Sequence, residues 1–341
     1  MCPETEGQPA REAVPVIEVD WDRLASLCST AVTRAGGDER TAAALTDAVL
    51  SAERRGNTAV GVAHLFDYLD ALQCGRLNGT PRPVVRHDRR SVITVSADDG
   101  VAQLAFLAAR PPLVAAARED GVAMLSVSDA FTVGELGYYT SQVAAEGLVA
   151  LAGANSPALM SLYGAPDAVT GTNPFSFALP GRPWPRIIDQ ASSAVAWVRI
   201  RDAAAAGEPI PPGWALDANG NPTTDAEAAL HGPLLPCGGV KGSNLALVIE
   251  LLSVLSGASF SMDAPDFASG EQPPRVGMFL IALDPAAFAA DYLHRVEDHL
   301  ERLHVRYGIN FGRHHASVER MVLPDHLYAR LENTSRRTPA P

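Results

Sequence analysis

The residues best suited to chemistry lie in one glycine-rich segment, Pro236-Cys237-Gly238-Gly239-Val240-Lys241-Gly242-Ser243, which runs straight into an apolar helical pattern. Glycine lets a backbone approach a ligand closely, and a helix start offers unpaired N–H groups and positive potential to an anion. Lys241 adds a point charge. The same residues also fit a plain turn before a buried helix. Two other segments pose the same choice: Gly171-Thr172-Asn173-Pro174 ahead of a strand pattern at Phe175, and Asp189-Gln190-Ala191-Ser192-Ser193 ahead of a helical one. In the second, Ser192 or Ser193 suits an N-cap. His314-His315, the one adjacent histidine pair, sits in a polar segment and reads as solvated surface. No metal site is expected.

Familiar fingerprints are absent. No G-x-G occurs and no G-K-[ST], which disfavours a Rossmann or P-loop site. Nor is there a G-x-S-x-G elbow, an HExxH or an EF-hand loop.

The elements that must carry these residues follow from periodicity. Leu24, Leu27, Cys28 and Val32 fall at helical spacing after Asp20, the Gly36-Gly37 pair stops that helix, and a second runs from Asp38 to about Arg55. A third is expected over Val62 to Cys74. Strands are expected at Val84-Val85, Ser91 to Val95, Val122 to Val127, Leu148 to Ala152, Phe175 to Leu179, Ile187-Ile188 and Val276 to Leu283. Further helices are expected over Val101 to Arg118, Ser192 to Ala206, Leu245 to Leu255 and Pro285 to Leu303. This is an α/β order without internal repeats. Gly207 to Gly242, dense in Gly, Pro, Asn and Asp, is too long for a casual loop and reads as a functional or wrapping segment. Polar, proline-containing ends at 1–15 and 334–341 are expected to be disordered.

With 341 residues, 47% of them hydrophobic, the chain can bury a sizeable core. Twenty-seven basic against thirty-nine acidic residues give a net charge of −12, a field that repels nucleic-acid backbones and anionic lipid. Cysteines at 2, 28, 74 and 237 form no CxxC pair, so a reducing, cytoplasmic setting is expected. No signal peptide, lipoprotein signal or membrane span is read in the sequence.

The three segments, in this order, resemble the type 2 malate/L-lactate dehydrogenase family. GTNPFSFALP at 171–180, IIDQASSAVA at 187–196 and IPPGWALDANGNPTTDAEAALHGPLLPCGGVKG at 210–242 match its GTNP, D-x-A-[ST]-S and GW-x-LD-x-G-x-PTTD…P-x-GG-x-KG signatures. Softer similarity spans about 20–304. The resemblance implies an α/β, non-Rossmann NAD(P)-binding fold with a mixed, largely antiparallel sheet and a helical N-terminal region. It also implies a homodimer with the active site between domains. The expected division is a substrate-side domain over 16–125, joined by 304–333, and an NAD(P)-binding domain over 126–303. Carried over, the residues for NADP or NAD are Thr172, Asn173, Pro174, Asp189, Ala191, Ser192, Lys241 and Gly242.

The departures concern catalysis. Where the family carries Ser-His-Gly followed by an arginine, this chain reads Ala59-Val60-Gly61-Val62-Ala63-His64, so Val60 stands at the histidine and His64 at the arginine. Thr132 stands at a second histidine. Hydride delivery to a ketone creates an alkoxide that needs a proton, and valine has none to give. If the stretch is helical, His64 shares a face with Val60 and can serve the same cavity. Tyr138 and Asp129 are further stand-ins. A protonated cyclic imine needs no such acid, because hydride addition leaves a neutral amine. The expected function is therefore NAD(P)H-dependent reduction of a C=N or unusual 2-oxo substrate, the alternative being a non-redox enzyme or ligand-binding pseudoenzyme on the same scaffold.

Overall fold

Aspartates open the first two long helices. After strand β1 (Val16–Val19), Asp20 accepts the Asp22 N–H at 2.8 Å to start α1 (Trp21–Arg34), and Asp38 accepts from Thr41 N at 2.9 Å to start α2 (Glu39–Arg54). The turn between them needs Gly36, whose φ is +114°, and Gly37, where a Cβ would lie 2.7 Å from the Val32 side chain. A 3₁₀ turn at Thr58–Val60 leads into α3 (Val62–Gln73). The computed structural model describes residues 15–312 and 320–336. Cys2, His314-His315 and residues 337–341 lie outside them.

From there the chain runs β2 (Val84–Arg89), β3 (Val92–Ser96), α4 (Ala102–Asp120), β4 (Val122–Ala130), α5 (Leu136–Ala145), β5 (Val149–Ala154), β6 (Phe175–Leu179) and β7 (Arg186–Gln190). Then come α6 (Trp197–Ala206), β8 (Ala215–Leu216), β9 (Pro222–Thr223), α7 (Ala226–Ala229), α8 (Val240–Ser253), β10 (Val276–Leu283), α9 (Tyr292–Tyr307), β11 (Met321–Pro324) and α10 (Asp325–Arg336). The main sheet has the order β2-β3-β4-β10-β5-β6-β7. Only β3 and β4, joined by the crossover helix α4, run parallel; every other pairing is antiparallel. The fold is thus α/β with a mixed, mostly antiparallel sheet and N-terminal helices.

Strand alternation decides which helices cover which face. Ala150, Ala152, Met278 and Leu280 join the core that holds Phe106 of α4 and Tyr139 of α5. Gly153 points the other way, where a Cβ would meet Phe279 at 2.5 Å and Ile249 of α8 at 3.0 Å. A second core joins α1, α2 and α3 to the returning C-terminus: β1 pairs with β11, and Leu331 of α10 packs with Leu24 and Leu27. A third gathers Met160, Ile200, Ala215, Ala229, Leu234 and Ala246, so the 207–242 segment wraps α6 and α8 through the β8–β9 ribbon and α7.

Several expectations change. Helix α6 begins at Trp197, with Ala196 as its cap, because Ser192 and Ser193 spend their hydroxyls on backbone carbonyls instead. Helix α8 runs from Val240 to Ser253, starting ahead of the expected Leu245, and the expected 285–303 helix is a 3₁₀ turn followed by α9. Val60 and His64 do not share one helix: Gly61, at φ −91° and ψ −135°, separates the 3₁₀ turn from α3. Residues 334–336 are the last turn of α10, tied by Thr334 Oγ1 to Arg330 O and by Ser335 Oγ to Glu332 O. At the other end Pro15 accepts the Asp325 N–H at 2.8 Å. The boundary between 125 and 126 falls inside β4, and strands from both sides share one sheet.

Candidate active site

Three of the segments singled out by composition are stitched together by backbone hydrogen bonds. Ser192 N donates to Thr172 O at 2.8 Å, Cys237 N donates to Ser192 O at 2.8 Å, and Ser192 Oγ donates to Asn173 O at 2.7 Å. Pro174 continues the path by accepting from Ala154 N, at the end of β5. Asn173 is fully buried at φ +35°, an unusual conformation for a side chain with a Cβ. Its Nδ2 donates to Ala246 O at 2.9 Å and to Glu250 Oε2 at 2.8 Å, while Oδ1 is buried without a partner among the described residues. Glu250 also accepts from Ser261 N and Ser261 Oγ, which anchors this turn to α8.

The lysine loop is built around two left-handed glycines, Gly238 and Gly239, with φ near +62° and open space where a Cβ would be. Gly242 has no such space: a Cβ there would lie 2.0 Å from the Cys237 carbonyl oxygen. The N-terminus of α8 carries no side-chain cap, so its first N–H groups are available to an acceptor, and Lys241 is exposed beside them.

The second part of the site lies where the β4–α5 loop meets β7. Asp189, at the end of β7, accepts the Gly137 N–H at 2.7 Å through Oδ2. Burial pushes its pKa up to about 6, the Gly137 bond and Arg55 working against that and the charge of Glu135 with it. Arg55, the C-terminal cap of α2, forks onto Glu135 with Nε 3.1 and 3.0 Å from the two carboxylate oxygens. Asn57 Nδ2 donates to the same carboxylate. Arg55 also lines a cavity of about 300 Å³ between α2, α5 and the approach to β7, together with Asp47, Ser51, Arg54, Gln142 and Ile187. Ala191, two residues beyond Asp189, connects this cluster to Ser192.

The third part gathers His64 and Thr132, two of the residues expected to take part in catalysis. His64 stacks edge-on against Tyr68, ring centroids 4.9 Å apart, and its Nδ1 lies 2.8 Å from Asp67 Oδ2. Thr132 Oγ1 donates to Tyr68 Oη at 2.6 Å. His64 and Thr132 therefore meet through Tyr68, a residue whose only sequence signal was its place one turn after His64. Tyr68 is fully buried, and burial raises its phenol above the ordinary value. Two residues separate Thr132 from Glu135, so the same loop serves both clusters.

Two candidates point elsewhere. Asp129, at φ +54°, accepts from Ser96 Oγ at 2.7 Å and Ser128 Oγ at 3.1 Å. Tyr138 is buried and donates to Asp47 Oδ2 at 2.9 Å; burial first and the Asp47 charge second raise its pKa. Neither makes a described contact with His64, Tyr68 or Thr132. Arg55, Tyr68, Glu135 and Glu250 escaped the sequence reading, since each is defined by a partner distant in the chain. Among the described residues no group of three or more His, Cys, Asp or Glu could hold a metal ion, and no helix is long and apolar enough to cross a membrane.

A dinucleotide fits the first part of the site on the structure's own terms. It would bring phosphates to an uncapped helix start with a lysine beside it, and amide donors for the unpaired Asn173 Oδ1. Residues 19–310 match the family model for malate/L-lactate dehydrogenase. The chain is 38% identical to the (2R)-3-sulfolactate dehydrogenase (NADP(+)) of Chromohalobacter salexigens, over 81% of this chain and 84% of that protein. It is 37% identical to a Delta(1)-pyrroline-2-carboxylate/Delta(1)-piperideine-2-carboxylate reductase of Pseudomonas putida, over 79% and 80%. The crystal structure of delta1-piperideine-2-carboxylate reductase from Pseudomonas syringae pv. tomato superposes with a TM-score of 0.82 at 31% identity, covering 95% of this chain and 96% of that one.

Proposed function

The chain belongs to the malate/L-lactate dehydrogenase family of NAD(P)-dependent oxidoreductases, and from that premise we propose that it reduces a C=N substrate, a cyclic imine bearing a carboxylate, with an unusual 2-oxo compound as the second choice. The supporting observation is the wall formed by His64, Tyr68 and Thr132. Where the family resemblance calls for histidines, this chain has Val60 and Thr132. The Thr132 hydroxyl is committed to Tyr68, and the buried phenol of Tyr68 holds its proton. A ketone reductase needs an acid for the emerging alkoxide; an iminium ion becomes a neutral amine on gaining hydride and does not.

When bound, NADP or NAD supplies the hydride. Lys241, Gly242 and the start of α8 would hold its phosphates, while Thr172, Asn173, Pro174, Ala191 and Ser192 shape the neighbouring turn. Asp189 lies along the chain between that turn and Gly137, whose N–H it accepts, and its carboxylate would meet the charge of an iminium with favourable sign. The relatives named above as pyrroline- and piperideine-carboxylate reductases support this reading, and the sulfolactate dehydrogenase supports the second choice. We further propose a homodimer. The outward side of α8 and the turn after it, with Val240, Val248, Leu251 and Leu255 all more than half exposed, form an apolar stripe that a second copy would cover.

NADPH oxidation should be followed with Δ1-pyrroline-2-carboxylate and Δ1-piperideine-2-carboxylate beside pyruvate and oxaloacetate, with NADPH binding titrated by fluorescence. Turnover of the imines well above the 2-oxo acids is expected. Turnover confined to the 2-oxo acids would overturn the substrate assignment, and no NADPH binding at millimolar concentration would leave the non-redox alternative.

A further inference from the structure

Helix α3 carries His64 and Tyr68 in its first two turns, yet its own N-cap, Gly61, has no side chain with which to cap it. The missing acceptor comes from another helix. Glu53, in the last turn of α2, accepts the Val62 N–H through Oε1 at 2.7 Å. The approach is so close that a Cβ on Gly61 would lie 2.1 Å from that same oxygen and 2.5 Å from the carboxyl carbon. Gly61 thus serves as the opening through which the Glu53 carboxyl reaches the backbone.

This arrangement is costly for the fold. Glu53 is 3% exposed, and its Oε2 has no hydrogen-bond partner among the described residues. Among the described residues no cation pairs with it; a titratable neighbour on the adjoining helix α1 is Cys28, a thiol whose pKa is raised first by burial and then by the Glu53 charge. An unpaired carboxyl in a core helix is a poor way to gain stability, since an apolar side chain would fill the same space without the desolvation cost. What Glu53 supplies in return is local: it fixes where α3 begins.

We propose that Glu53 is a positioning residue, capping α3 from within α2 and thereby setting His64 and Tyr68 at the height where Tyr68 meets Thr132. The inference rests on the reading that this wall lines the substrate site. One bond at the helix start controls a contact one to two turns further along. The Tyr68 ring, packed at 5.9 Å against Phe131, transmits any shift to the loop that also carries Thr132 and Glu135. Small displacements of this kind cost catalysis more than binding.

The test compares Glu53→Ala, Glu53→Asp and Glu53→Gln in the full chain, with two readouts. The first is steady-state reduction of the best substrate with NADPH. Glu53→Ala is expected to lower kcat about tenfold or more with the NADPH dissociation constant within twofold of the parent, and Glu53→Gln, which keeps the acceptor, to restore kcat within about threefold. Glu53→Asp, too short to reach Val62, should behave like the alanine variant and replaces it if that one does not fold. The second readout is hydrogen exchange over residues 58–68, which needs no substrate. Faster exchange there in the alanine and aspartate variants, and parent-like exchange in the glutamine variant, is expected. If the parent proves inactive on every substrate but the exchange pattern holds, the function fails while the capping role stands. Unchanged exchange, or kcat unchanged in Glu53→Asp or Glu53→Ala, overturns the proposal.

Discussion

On the proposed function, Asp189 is the residue whose ionisation bears most directly on the chemistry. With its pKa pushed up to about 6, it passes from acid to carboxylate within the working range of most enzymes. For an iminium substrate the carboxylate is the useful form, so kcat/KM should climb as pH rises through about 6. A ketone substrate drawing its proton from Asp189 would give the opposite slope. Asp189→Asn should flatten either profile, and a pH–rate curve on both proteins reads this directly. Glu53 makes a separate prediction about stability. Burial pushes its pKa up to about 7 from the usual 4.5. Because the folded value is the higher one, its contribution is most favourable below pH 4.5 and is lost as pH rises towards 7, by roughly 3 kcal/mol in all. Glu53→Gln removes that dependence while keeping the acceptor. Urea unfolding at pH 5 and pH 8 should therefore show the variant gaining on the parent at the higher pH, and equal gains at both would contradict the assignment.

At the scale of elements, the start of α8 and the glycine loop before it form a single device. Lys241 contributes charge at an exposed position, and Lys241→Ala should weaken NADPH binding by at least an order of magnitude, as a charge-assisted contact of roughly 1.5 to 3 kcal/mol implies. Gly242 contributes only space. An alanine there would drive its Cβ into the Cys237 carbonyl, so the loop must move away from Ser192, and Gly242→Ala should weaken binding at least as much although no charge is lost. Fluorescence titration of the two variants separates charge from shape; tight binding by Gly242→Ala would mean the loop does not hold the cofactor. The α2–loop–α5 junction depends likewise on the buried Arg55–Glu135 pair, whose Glu135 side chain is 4% exposed.

For the whole molecule, the exposed stripe on α8 and the third core beneath it predict association. Light scattering at micromolar concentration should give twice the 35.9 kDa chain mass. Leu251→Glu combined with Val248→Glu should return it to the monomer value, since two charges on each chain would bury four at a self-paired face. A parent protein that scatters as a monomer would remove the homodimer. The three cores also explain the chain's route. Its C-terminus returns to pair β11 with β1, so residues from both ends help to support α1, and through α1 the helices that carry Glu53 and His64.

Much of this was already present in the order of the residues. Helical spacing after Asp20 and Asp38 marked α1 and α2, short apolar and β-branched runs marked the strands of the main sheet, and the GTNP, DQASS and glycine–lysine segments marked the turns that lie together. Those signals are local: a cap, a period or a left-handed turn is written within a few neighbouring residues. The tertiary structure decided what depends on distant partners. Tyr68 joins His64 to Thr132 across 64 residues, Arg55 clasps Glu135 across 80, and β10 inserts between β4 and β5. No local pattern encodes such pairings, because each forms only after loops have closed and a shared core has fixed both sides. Even Glu53 and Val62, nine residues apart, meet only because Gly61 leaves the opening and α2 and α3 pack against each other.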